Sequence, residues 1–378
     1  MGKQVIYTDR VMKPIAHFSH AARVGNLIHV GATAGTDAQR RLEGTSLGLV
    51  DVAAQTRKMF ENVGIVLGLL GARLEHTVRV KTYIADIRDQ QRYRELYAEV
   101  FGLTAPDHIV VGSAGFPLPQ AAIELDLVAV VDAPIVRMPG GMPGVGVRAD
   151  GRFYCSTAGA PDRGDFAAQA TVALRSICDG VEQGGFSRSD VVYLHVTLAD
   201  SRDAPAFGAA LARTFPTEPP ACTLVTASPS DPCSLLQIEA IAAAGGGRRL
   251  AGPKGAAGIG AAAVLAGDDL YIGGQVGEGE DGQLVTGGEA QTRAAWERIR
   301  AILDEAGMDA RSIVRTNNVL TDWRLYADFN AGYGANVSDP YPPRATVLGG
   351  LPRYRALVQI EAVAHRLGSE AVIVQVPD

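Results

Sequence analysis

The pair Ala-Gln occurs at Ala54-Gln55, Ala168-Gln169 and Ala290-Gln291, and the glutamines lie 114 and 122 residues apart. Asp86, Asp200 and Asp322 each close an apolar run at the same two offsets. His108, Cys222 and Arg344 follow prolines, again at those offsets. Glu124, Gln237 and Gln359 sit in a last apolar stretch, 113 and 122 residues apart. Self-similarity at a fixed period decides architecture before any local propensity does. The chain reads as three copies of one small domain: 1–133, 138–246 and 250–378. Gly-rich junctions at 134–146 and 242–260 separate them.

Each copy repeats one order of elements. A strand (27–30, 153–155, 270–272) leads into a long helix with an apolar stripe, as in Thr292, Ala295, Trp296, Ile299 and Ile302. A strand, a second helix and two closing strands follow. The final strands alternate apolar and polar residues, as half-buried strands do. Helices arriving between strands argue for an α+β fold with two helices on one face of a mixed sheet. Three copies in one chain can bury the other sheet faces against each other around a pseudo-threefold axis.

Composition narrows the function. The 378 residues, 47% of them hydrophobic, suffice for several small cores. Net charge is −6, and only 5 of the 35 basic residues are Lys, with no basic cluster to grip nucleic acid. The N-terminus lacks the apolar region of a signal peptide, and the longest apolar run, Val63 to Ala72, is too short for a membrane span. The four cysteines form no CxxC pair, so a cytoplasmic protein with reduced thiols is expected. The Gly-rich junctions lack a Walker lysine or a GxGxxG setting, so no phosphate cofactor is expected. His17, His20 and His29 match no metal-ligand spacing, so no metal is expected either.

The copies resemble the Rid (reactive intermediate deaminase, YjgF-like) family. Copy three carries the pattern in Asp269 to Gln275, Phe329-Asn330-Ala331-Gly332-Tyr333, Pro342-Pro343-Arg344-Ala345-Thr346-Val347 and Leu357 to Ala364. Copies one and two match through Ile123-Glu124-Leu125-Asp126 and Gln237 to Ala242. The resemblance implies three chorismate-mutase-like domains forming an intrachain pseudo-trimer around a central β-barrel, with clefts between neighbours. That pseudo-trimer would be a monomer or the unit of a higher homo-oligomer. Family members hydrolyse enamine and imine acids to a keto acid and ammonia. An arginine holds the substrate carboxylate and a glutamate positions water.

Carried over residue by residue, Arg344 is the anion anchor, and a planar guanidinium suits a carboxylate. Its counterparts are His108, which would serve only if protonated, and Cys222, either a nucleophile or packed core. Glu124 is the catalytic glutamate, or else an edge-strand carboxylate facing solvent. Gln359 and Gln237 replace it elsewhere, and an amide can orient water but cannot act as a base. Asn330 matches the family's helix Asn. Phe18 replaces a Tyr, Thr346 replaces a frequent Cys, and Gln275 is a candidate cleft residue. A cleft built from two copies would join Arg344 to Glu124, and the sequence leaves open which copies meet.

The expected activity is hydrolytic deamination of a small enamine or imine carboxylic acid, with a small carboxylate as the partner. Three alternatives accompany it. A non-catalytic binding module fits drift in two clefts. An amide-ring hydrolase of the cyanuric acid hydrolase or barbiturase type needs Lys–Ser pairs that copy two, with no Lys, does not have. Ribonuclease activity fits poorly with the acidic charge.

Overall fold

The computed structural model describes residues 2–46, 49–138, 146–157, 159–160, 162, 164–252 and 257–374. Parts of both Gly-rich junctions, 139–145 and 253–256, lie outside the described residues.

Three sheets repeat one strand order. In the first, the order is Ala21–Val24, Leu27–Ala34, Ile123–Val130, Thr77–Ile84, Asp107–Gly112. The last strand of the unit therefore lies in the middle, antiparallel to both neighbours, and the two outermost of the closing strands run parallel. The second sheet places Leu236–Ala243 in the same way between Arg152–Thr157 and Val191–Leu198. The third places Val358–His365 between Asp269–Val276 and Ile313–Leu320. A central position explains why these strands are buried along their whole length. It also corrects one expectation: Glu124 is on no edge strand and does not face solvent.

Two helices cover one face of each sheet. They are α1 (Val52–Leu69) and α2 (Gln90–Phe101), α3 (Phe166–Gln183) and α4 (Ala204–Thr214), and α5 (Gly288–Ala306) and α6 (Tyr326–Gly334). Asp51 and Asp165 cap α1 and α3 by accepting main-chain N–H bonds. Gly307, in the left-handed region, ends α5. Met59, Phe60 and Val63 of α1 and Trp296, Ile299 and Ile302 of α5 fill the cores beneath.

The repeated residues have structural jobs. Gln55, Gln169 and Gln291 are buried on the long helices. Each side-chain oxygen accepts from the main-chain N–H of Ala122, Leu235 or Leu357 at 2.8 Å. Each side-chain amide donates to a carbonyl nearby. The glutamine thus clamps the chain where it enters the central strand. Asp86, Asp200 and Asp322 cap the short turns before the second helices.

The opposite sheet faces pack on one another. Val78, Val128, Tyr154, Val192, Tyr271 and Val314, from all three units, share one buried cluster. The sheets do not merge into a closed barrel. Among the described residues they stay separate, joined by isolated bridges such as Val111 to Pro229 and Thr226 to Gly350. Their contacts run in one sense. The strand Asp107–Gly112 of unit one lies against unit two, where Ser156 Oγ donates to Asp107 Oδ1 at 2.8 Å. Cys222 of unit two lies against Gly273 of unit three, and Arg344 of unit three against Gly31 of unit one. At both glycines a Cβ would come within 3.0 Å of neighbouring main chain, so only Gly fits. The C-terminal strand Ala371–Val374 leaves the third unit and pairs in parallel with Lys3–Ile6 of the first sheet.

Candidate active site

The cyclic arrangement creates three interfaces, each joining the anchor position of one unit to the central strand of the next. Unit three meets unit one at Arg344 and Glu124. Unit one meets unit two at His108 and Gln237, and unit two meets unit three at Cys222 and Gln359. The interfaces differ sharply.

Arg344 opens the strand Arg344–Leu348 and is 3% exposed. Its Nη2 donates to Asn330 Oδ1 at 2.6 Å. Three rings surround the guanidinium, with centroids at 4.7 Å for Tyr333 and 5.2 Å for both Phe18 and Phe329. Such rings attract a cation but supply no counter-charge. Nη1 is buried without a hydrogen-bond partner. Among the described residues no carboxylate pairs with Arg344. A buried, half-satisfied guanidinium is costly unless a ligand completes it.

Glu124 lines the same cavity, about 430 Å³ of empty space, together with Phe18, Arg344 and Thr346. It is 6% exposed. Burial, with no nearby charge to offset it, pushes its carboxyl up to about 8. The rest of the lining is apolar: Met12, Ile15, Ala32, Ala34, Pro117 and Leu118, with Tyr326. Met12 and Ile15 belong to the segment before the strand Ala21–Val24. Unit three holds that segment: Tyr7 Oη donates to Asp339 Oδ1 at 2.8 Å and accepts from Tyr341 N–H at 2.7 Å.

At the other two interfaces the residues in the anchor position are packed against their neighbours. His108 stacks on Tyr97 with ring centroids 4.1 Å apart, and its Nε2 meets Tyr93 Oη at 3.0 Å. Burial, and to a lesser degree Arg94, lowers its pKa to about 3. It is therefore neutral, and the expectation that a protonated His108 could anchor an anion fails. Cys222 is buried, and burial together with the Glu361 charge raises its thiol pKa, which removes the thiolate a nucleophile needs. A Cβ on Gly260, in the stretch before unit three, would come within 2.8 Å of Cys222 Cβ, so the chain packs closely against the thiol's strand.

Gln359 and Gln275 do not reach the Arg344 cavity. Gln359 Nε2 donates across the second interface to Leu224 O at 3.1 Å, and Gln237 Nε2 donates to Val110 O at 2.9 Å. Both amides tie neighbouring units together. Thr346 occupies the position of Val110 and Leu224, and both it and Glu124 line the cavity. Gln275 Nε2 donates to Gly273 O at 3.1 Å, and its Oε1 accepts from Arg298 Nε at 3.1 Å. The cleft uses the equivalent strand of unit one instead, through Ala32 and Ala34.

The three N-terminal histidines go different ways. His17 packs edge-on against Tyr341, His20 Nε2 contacts Met12 O, and His29 is buried in the first sheet. Sequence reasoning missed the apolar lining and the roles of Phe329 and Tyr333. Those two flank Asn330 at helical spacing, the one signal pointing to a shared face.

A family profile described as Endoribonuclease L-PSP matches residues 8–131 and 254–366, more than half of the chain. A RutC family protein of Pyrococcus abyssi is 33% identical over 129 residues, covering 34% of this chain and 98% of that protein. A second, from Pyrococcus horikoshii, is 29% identical over 127 residues, covering 34% and 97%. The crystal structure of RidA from an Antarctic Psychrobacter is 36% identical, covering 28% of this chain and 86% of its own, with a TM-score of 0.27. A chorismatase crystal structure shares the fold more widely, over 77% of this chain and 93% of its own, with a TM-score of 0.58 at 12% identity. The chain therefore belongs to the Endoribonuclease L-PSP family, and it is similar to RutC family and Rid proteins over about a third of its length.

Proposed function

We propose that the chain is a pseudo-trimeric deaminase that hydrolyses small enamine or imine carboxylic acids at one cleft, between its third and first units. The observation that carries this reading is a buried Arg344 Nη1 without a partner, sharing a cavity with a carboxyl that titrates near neutrality. Arg344 takes the substrate carboxylate, and Asn330 fixes the guanidinium plane. The protonated Glu124 donates to the imine nitrogen. The resulting carboxylate accepts a proton from water as the water oxygen bonds to the imine carbon. Glu124 then returns that proton to the amine, and as the C–N bond breaks the carboxylate takes up the carbinol hydroxyl proton, giving keto acid and ammonia and restoring the protonated carboxyl. A group shuttling protons both ways works best with a pKa near the working pH.

The apolar lining favours substrates with apolar side chains. The cavity's size favours a small acid over a nucleic acid strand. The test is ammonia release from the imine of leucine, generated in place by an amino-acid oxidase. Turnover above the spontaneous rate, lost in Arg344→Ala, supports the reading. An unchanged spontaneous rate refutes it, and carboxylate binding without turnover would make the chain a binding module.

A further inference from the structure

A second cavity, about 460 Å³, lies on the axis where the three units meet, and it shares no lining residue with the Arg344 cleft. Lys81, His195 and Asn317 line it from equivalent strand positions, one per unit. Val111, Val225 and Val347, also equivalent, form an apolar sleeve beside them. At one end Gly112, Thr226, Ala227 and Gly349 are half-exposed, which gives an entrance.

The polar part of this wall is incompletely satisfied. His195 Nε2, both polar atoms of the Asn317 amide and Gln359 Oε1 are buried without hydrogen-bond partners. Each of these residues is at least nine-tenths buried. Native interiors leave few such groups unexplained. Two opposite charges flank them. Lys81 Nζ gives one hydrogen bond to Glu239 Oε1, at 2.6 Å, and has two further N–H groups. Glu361 Oε2 accepts from Tyr193 Oη and lies 2.9 Å from His195 Nδ1. Glu361 Oε1 accepts no hydrogen bond from any described residue. Burial would raise the Glu361 pKa, but His195, Lys81 and Arg315 hold it well below the usual carboxylate range. His195 Nδ1 faces Glu361, and its Nε2 has no hydrogen-bond partner.

One cation with spare donors, one anion with a spare acceptor, a free amide and an apolar sleeve together describe a ligand with both charges and a short hydrocarbon chain. Water could satisfy the amides one by one, but it would leave the valine sleeve wetted and the paired charges without a specific occupant. We propose that the axial cavity binds a free α-amino acid with a small apolar side chain, as the zwitterion. The carboxylate meets Lys81 and Asn317 Nδ2. The ammonium meets Glu361 Oε1 and Asn317 Oδ1, and the side chain enters the sleeve.

The experiment is thermal denaturation of the full chain with L-valine, isobutylamine or isovalerate at constant ionic strength. The last two are valine without its carboxylate and valine without its amine. L-Valine is expected to raise Tm saturably, with an affinity at least about tenfold above either half-molecule. Asn317→Leu should abolish that shift. Ala227→Phe, at the half-exposed entrance, should weaken it without touching the polar wall. Arg344→Ala should keep it, which separates this site from the deaminase cleft. No saturable shift with valine overturns the proposal and leaves a water-filled cavity. Equal effects of valine and isovalerate, or loss of the shift in Arg344→Ala, also overturn it.

Discussion

The interface between units three and one and the interface between units two and three are built from the same strands, yet they place different side chains at the anchor position and on the facing central strand. In the first, Arg344 faces Phe18, Phe329 and Tyr333, and its spare nitrogen has no partner. In the second, Cys222 stands in place of the arginine, and Gly260 closes against it. Where the first has Glu124, the second has Gln359, which bonds the Leu224 carbonyl across the interface. The difference is one of use. The carboxamides of Gln237 and Gln359 donate to main chain across their interfaces, whereas the Glu124 carboxyl lines the cavity beside Arg344. Fusion of the copies makes this division available, because each interface can change alone.

The comparison is open to attack from its strongest point downward. Arg344→Ala removes the buried cation, and kcat/KM for an imine acid is expected to fall roughly 10³-fold, mostly through KM. Steady-state ammonia release checks this. Glu124→Gln converts the active interface to the chemistry of the other two, and kcat is expected to fall about 10²-fold or more with KM little changed.

The same residue sets a pH dependence of stability. Its folded pKa, about 8, lies above the ordinary value of 4.5. The folded chain therefore keeps a proton that the unfolded chain loses, and native stability declines as pH rises from about 4.5 to about 8. Denaturant melts should show wild type and Glu124→Gln converging below that window. Above it the variant should be more stable by a few kcal/mol, since each pKa unit is worth about 1.4 kcal/mol.

The smallest effects belong to the other two interfaces. Cys222→Ala is expected to change imine turnover less than about twofold, because Cys222 lies outside the Arg344 cavity. His108→Ala should also leave turnover nearly unchanged. It should cost roughly 1–3 kcal/mol in stability, through the lost stacking on Tyr97 and the lost contact with the Tyr93 hydroxyl, which keeps Thr82 as a partner.

The triplication was legible because its markers are structural. Gln55, Gln169 and Gln291 perform one clamp in one geometry, so all three keep the same side chain. Arg344, Glu124 and Asn330 were legible through motif order alone. Gln359 and Gln275 were not, because a linear sequence does not say which unit's central strand faces which anchor. Head-to-tail closure pairs Arg344 with the first unit's strand and sends Gln359 to Leu224. The apolar cleft wall was hidden for the same reason: Met12 and Ile15 reach Arg344 only after residues 7–20 fold across the third unit. The closed barrel expected on the axis gave way to three sheets that stay separate among the described residues.

If the proposed function holds and one cleft of the three is active, binding stoichiometry shows it. Calorimetric titration of the full chain with a 2-oxo acid, the product of the proposed reaction, should give one site per chain. That site should disappear in Arg344→Ala and persist in Cys222→Ala. Three sites per chain, or one site that survives Arg344→Ala, would contradict the account.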